Sequence, residues 1–147
     1  MPMKHKAVIE RIKRRLREEI QDINKDAAAA AHEIAITAEA YAVLDTPKDT
    51  GTLANSYTIS VEENPEGGAH ATLGNTAEYA FWVHEMPGTL KGQPREHFGK
   101  TREGVAFGGG TEKGCYWDPD ARPKFLELAL EEHYSEYMDI ARKYLKR

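Results

Sequence analysis

An α+β fold follows from three features of the 147-residue chain: a helical apolar period over the first 44 residues, a strand-like alternation after a turn, and a second helical period at the end. The expected order is a long N-terminal helix, a small antiparallel sheet, a long loop and a C-terminal helix. With 40% hydrophobic and 30% charged residues, the chain has the make-up of one domain spanning 1–147. Its parts are the long helix 1–44, a turn and hairpin region 45–85, an extended loop 86–120 and the C-terminal helix 121–147.

The first helix is read from Ile9, Ile12, Leu16, Ile20, Ile23, Ala27, Ile34, Ala38 and Tyr41, which recur at steps of three, four or seven. At 1.5 Å per residue it would extend about 60 Å, so it must break or lean on something else. The alanines from Ala27 to Ala31 favour helix but offer little side chain to bury, so another backbone could come close there. Pro47 cannot continue the helix, Asp49 can cap a following turn, and Gly51 can take a positive φ, so the chain turns between Asp45 and Ser56. Tyr57, Ile59 and Val61 then alternate with polar residues, as in a half-buried strand. Asn64 to Gly68 form a turn, and His70 to Gly74 make the returning strand. Ala77 to Glu85, with Tyr79, Ala80, Phe81, Trp82 and Val83, is an aromatic-rich stretch that fits a helical turn or a strand, and periodicity does not decide between them; the expectation is a turn feeding a strand.

The stretch from Met86 to Asp120 is rich in Gly and Pro, and a loop of that length in a domain is functional or ordered by a partner. It carries Phe98, Phe107, Tyr116 and Trp117, aromatics suited to burial at an interface. The helical period returns from Pro123 with Leu126, Ala129, Leu130, His133, Tyr137, Ile140, Tyr144 and Leu145. Asp120 and Pro123 suit its start, and the basic residues near its end suit the helix dipole.

Composition excludes several classes. Mean hydropathy is -0.66, and no apolar run approaches the roughly 18 residues of a membrane span. The opening MPMKHKAVIERIKRR has no apolar h-region, so no secretory signal is expected. One cysteine, Cys115, supports neither a disulfide framework nor a multi-Cys zinc site; a buried structural thiol is expected. The net charge of -4 hides an asymmetry, because bases crowd both ends while the middle holds most of the acids.

Candidate chemistry is sparse. Asp49, Thr50 and Gly51 spell the tripeptide that carries the catalytic carboxylate of aspartic proteases, but such a carboxylate sits at the end of an apolar strand. Here Thr46, Pro47 and Lys48 precede it. His84 and Glu85 lack the second His of a metalloprotease helix, and the other His, Cys and Asp residues match no zinc spacing. Neither glycine-rich segment has a nucleotide-binding pattern. No catalytic, metal or cofactor-binding residue and no cofactor is expected. A hydrolase, either a DTG protease or a metal-assisted nuclease, and a free DNA-binding protein are the alternatives to a structural role.

The basic face of the first helix, with Lys4, Arg11, Arg14 and Arg15 near one another, fits an anionic surface. That surface is nucleic-acid phosphate or acidic residues of a neighbouring protein. The acids Glu18, Glu19 and Asp22 one turn on favour the protein, because they would repel a duplex lying along the helix.

Three segments in order resemble the HK97 gp10-like family of tailed-phage tail-component proteins, the tail completion or neck proteins. They are TPKDTGTLANS at Thr46–Ser56, YAFWVHE at Tyr79–Glu85 and RPKFLELAL at Arg122–Leu130. The matching positions are Pro47, Asp49, Thr50, Gly51, Leu53, Ser56, Tyr79, Ala80, Val83, Glu85, Pro123, Phe125, Leu126 and Ala129. The stretch between Glu85 and Pro123 is longer than in many relatives. The resemblance implies a virion subunit made in the host cytoplasm and assembled into a ring at the head-tail junction, six copies favoured over twelve. Its partners would be itself, portal or connector proteins, tail terminator or tail tube proteins, and DNA in the channel, with no membrane. The matching residues are then fold-forming positions. Sequence leaves open which neck or tail protein meets which surface and whether the free subunit is monomeric.

Overall fold

The periodic N-terminal segment is one helix, α1, spanning Pro2–Asp45 in the computed structural model. The model describes residues 2–49, 51–94 and 115–146, with side chains from His5 onward. Thr46 still donates its N–H to the Ala42 carbonyl at 2.9 Å, and Pro47 ends the ladder there. The strands are β1 (Tyr57–Glu63) and β2 (Ala69–Asn75), paired as a two-stranded antiparallel sheet. Burial along β1 alternates from Tyr57, with the side chains at 57, 59 and 61 turned inward. Among the described residues three helices follow: α2 (Ala80–Glu85), α3 (Phe125–Glu132) and α4 (Tyr134–Leu145).

Two expectations are corrected. Tyr79–Glu85 does not feed a strand; it forms the short helix α2, and Ala80 and Val83, three residues apart, join the core. The closing helical period is divided between α3 and α4, because His133 leaves helical geometry at φ -109° and ψ 16°. Its ring stacks on Tyr41 at 3.4 Å, a contact that local periodicity does not encode.

The chain divides into two compact units. The first combines α1 up to Ala35, residues 59–72 of the hairpin and residues 135–147. Within it, the Asn24 side chain accepts the Gly68 N–H at 2.9 Å and so holds the hairpin turn on α1. Gly67 and Gly68 take φ of 114° and 89°, which side-chain-bearing residues rarely adopt. The α4 helix is tied to α1 at Glu33, which accepts from the Tyr144 hydroxyl and pairs with Lys143 at 3.2 Å. Both contacts favour the charged carboxylate and hold Glu33 below the ordinary carboxylate range.

The second unit, residues 36–58 and 73–134, has its own core of Ala42, Leu53, Tyr57, Phe125 and Ala129. Tyr41, Val43, Leu73, Ala77, Ala80, Val83 and Leu126 pack around it. Thr46 is fully buried, yet its hydroxyl is satisfied by the Ala42 carbonyl at 2.6 Å and the Tyr57 hydroxyl at 2.8 Å. Arg122 bridges Asp45, at 2.5 Å, and Glu132, at 2.8 Å, which fixes the start of α3 against the end of α1.

Candidate interaction surfaces

The first surface lies on α1 within the first unit. Every described side chain from His5 to Ile23 is exposed. These include Ile9, Ile12, Leu16, Ile20 and Ile23, and Leu16 shows 57% of its surface. Bulky apolar residues at helical spacing form a stripe that a solitary chain leaves in water. The basic candidates Arg11, Arg14 and Arg15 share this exposed stretch. Arg14 lies 3.9 Å from Glu18 one turn on, and Lys13 lies 3.4 Å from Glu10. Such exposed pairs are worth little and leave the bases available to a partner.

The second surface lies on α2 within the second unit. A helix of this length turns one side to the core, here Ala80 and Val83, and the residues between them must point elsewhere. Those residues are Phe81 and Trp82, at 65% and 68% exposure, their rings edge to face at 5.5 Å. Tyr79, Met86 and Leu90 extend the exposed apolar patch. The helix carrying it is anchored from behind. Glu85 pairs with Lys124, the Lys124 N–H donates to the His84 carbonyl at 3.0 Å, and the His84 ring meets Phe125 edge-on at 5.0 Å. The Lys124 ammonium, and then the His84 ring, hold the Glu85 carboxyl below its ordinary range. The His84–Glu85 pair considered for a metal thus serves a structural ion pair.

Residues 91–94 and 115–117 lie side by side in the second unit. Lys91 bridges to Trp117 and Pro94 to Cys115, with Tyr116 N–H donating to the Gln93 carbonyl at 2.8 Å. Trp117 is buried, donates its indole N–H to the Ala121 carbonyl at 3.2 Å and packs beside Gly88. It anchors the loop base within its own unit, while Tyr116 is exposed and remains the described aromatic free to face outward. Cys115 is a free, half-buried thiol. Phe98 and Phe107 lie outside the described residues.

The residues of the three sequence segments come together in the second unit. Leu53, Ala80, Val83, Phe125, Leu126 and Ala129 belong to the same apolar cluster. Gly51 takes φ +83° in the turn before β1, and the Ser56 hydroxyl donates to the Thr52 carbonyl at 2.6 Å. Pro47 and Pro123 are half-buried, Tyr79 precedes α2, and Glu85 forms the ion pair above. Asp49 is exposed in the turn after α1, unlike a buried protease carboxylate, and Thr50 lies outside the described residues. Among the described residues, no three His, Cys, Asp or Glu are grouped to hold a metal ion, and no helix is long and apolar enough to cross a membrane.

Sequence reasoning passed over Phe81 and Trp82. The available signal was five consecutive apolar residues from Tyr79 to Val83, more than one face of a short helix can bury.

The family model described as "Bacteriophage HK97-gp10, putative tail-component" matches residues 6–84, just over half of the chain. The match takes in most of α1, the hairpin and nearly all of α2, and ends before Glu85 and the α3 segment. No curated protein and no solved structure matches.

Proposed function

We propose, from the premise that this chain belongs to the HK97-gp10-like family of bacteriophage tail components, that it is a structural subunit of the head-tail junction. It forms a closed ring that joins the connector side to the tail around the DNA path. Its partners are its own copies, portal or connector proteins, and tail terminator or tail tube proteins. It works by shape and contact, not by catalysis.

The observation that carries this reading is the α2 face. Phe81 and Trp82 stand in water on a helix that is otherwise bolted to the core through Val83 and the Glu85–Lys124 pair. Large aromatics on a rigid support are the residues that contribute most to interfaces. A contact between this face and a different face of the next copy is head-to-tail, and closure of such contacts by rotation gives a ring. Six copies is the favoured number and twelve the rival.

Counting subunits per purified virion by quantitative mass spectrometry tests the proposal. Six or twelve copies are expected, with Phe81→Ala plus Trp82→Ala lowering incorporation while the free protein keeps its fold. One copy per particle, or absence from particles, would overturn it.

A further inference from the structure

The apolar stripe on α1 has an order that the fold of the single chain does not use. Ile9, Ile12, Leu16, Ile20 and Ile23 are spaced three, four, four and three residues apart, so the series reads the same in both directions about Leu16. On a helix of 3.6 residues per turn they fall within about 40° either side of the Leu16 direction. Every one of them is exposed. The charges around Leu16 are opposed rather than mirrored. Residues 5–15 hold Lys6, Arg11, Lys13, Arg14 and Arg15 against Glu10, a net of +4, with histidine taken as neutral. Residues 17–27 hold Glu18, Glu19, Asp22 and Asp26 against Arg17 and Lys25, a net of -2.

We infer that this stretch of α1 pairs antiparallel with the same stretch of a second copy, about a two-fold axis beside Leu16. The spacing then sets Ile9 level with Ile23 of the other copy, Ile12 with Ile20, and Leu16 with itself, so each apolar side chain meets another. The basic half of each helix lies along the acidic half of the other. On one flank Arg15 comes within about two residues of the level of Glu19 in the other copy, and Arg11 within about one of Asp22. The opposite flank keeps Lys13 and Arg17 of both copies as a shared basic edge. A parallel pair would set the basic half of each helix level with the basic half of the other, which like-charge repulsion disfavours. The pairing gives the basic face the acidic protein partner that its charge pattern calls for, and that partner is the chain itself.

This two-fold contact belongs to the free chain and differs from the head-to-tail contact of a ring, so its failure and that of the ring can be told apart.

Cysteine scanning in a Cys115→Ser background tests it. A disulfide needs α-carbons about 4.4–6.8 Å apart, so only positions that meet across the pair cross-link quickly. Leu16→Cys is expected to form a covalent dimer under mild oxidation roughly tenfold faster or more than the exposed control Ser60→Cys, because pairing raises the local thiol concentration. Ile9→Cys and Ile23→Cys are each expected to match the control alone and to form a heterodimer when mixed. Leu16→Glu is expected to leave helix content unchanged while sedimentation shifts from dimer to monomer. Fast self-linking of Ile9→Cys would establish a parallel pair and overturn the proposal, as would cross-linking no faster than the control at every α1 position.

Discussion

The two ends of α1 follow the same helical period and meet opposite fates. From Ala30 to Thr46 the inward positions are Ala30, Ala35, Ala38, Ala42 and Thr46, all small and all buried. From Ile9 to Ile23 the corresponding positions are isoleucines and a leucine, all large and all exposed. Small residues are buried where the protein's own backbone comes close; large ones remain where nothing of this chain covers them. An apolar stripe thus identifies a surface that is to be covered, without saying by what. Residue size along it separates the part that folding covers from the part left for association.

Substitutions should separate these regions sharply. The largest effect is expected at Phe125, which is 2% exposed at the centre of the second unit. Phe125→Ala should cost about 3–5 kcal/mol in chemical denaturation, whereas Leu16→Ala in dilute protein should stay within about 0.5 kcal/mol. An equal cost at the two positions would erase the distinction.

Thr46 comes next. Thr46→Val keeps the shape but leaves the Tyr57 hydroxyl without its 2.8 Å partner. A loss of about 1–3 kcal/mol is expected, because a buried polar group then stays unsatisfied. Gly88→Ala should cost about 1–2 kcal/mol. Its φ of +66° is left-handed, and an added Cβ would lie 3.2 Å from the Trp117 ring. Gln21→Ala, at an exposed α1 position, should be near neutral in the same assay.

The smallest effect is in acid. Glu33, Glu85 and Glu132 are held below the ordinary carboxylate range, by Tyr144, Lys124 and Arg122 respectively as the first cause. A lowered folded-state value means their contribution is present above the unfolded carboxylate's range and is lost as pH falls through the folded value. Acid below the ordinary carboxylate range should therefore loosen α4 at Glu33 and α3 at Glu132. Amide exchange across pH checks this, and Glu33→Gln should make α4 exchange less dependent on pH in the acid range while leaving α3 unchanged.

Much of this fold is legible in the sequence because it is local. The α1 period, the stop at Pro47, the positive φ at Gly51, the alternation from Tyr57 and the turn at Asn64 to Gly68 depend on residues close together in the chain. What escaped depends on distant partners. The helix α2 has no readable period, since only Ala80 and Val83 of its apolar run face a core supplied partly by α3. The division at His133 coincides with stacking on Tyr41, 92 positions earlier in the chain. Trp117 reads as an interface aromatic because it lies in the long Gly- and Pro-rich loop, yet its place is fixed by Gly88 and Ala121. The exposed Phe81 and Trp82 show the same limit from the other side, since composition alone does not tell a covered aromatic from an uncovered one.

The central claim is that this tail component works through surfaces that other copies cover. The most direct test is an image of the head-tail junction of the intact particle at side-chain resolution. The account predicts a closed ring of this chain, six-fold by preference, with Phe81 and Trp82 of each subunit buried against its neighbour. A single copy at the junction, or a ring in which both aromatics face solvent, would contradict it.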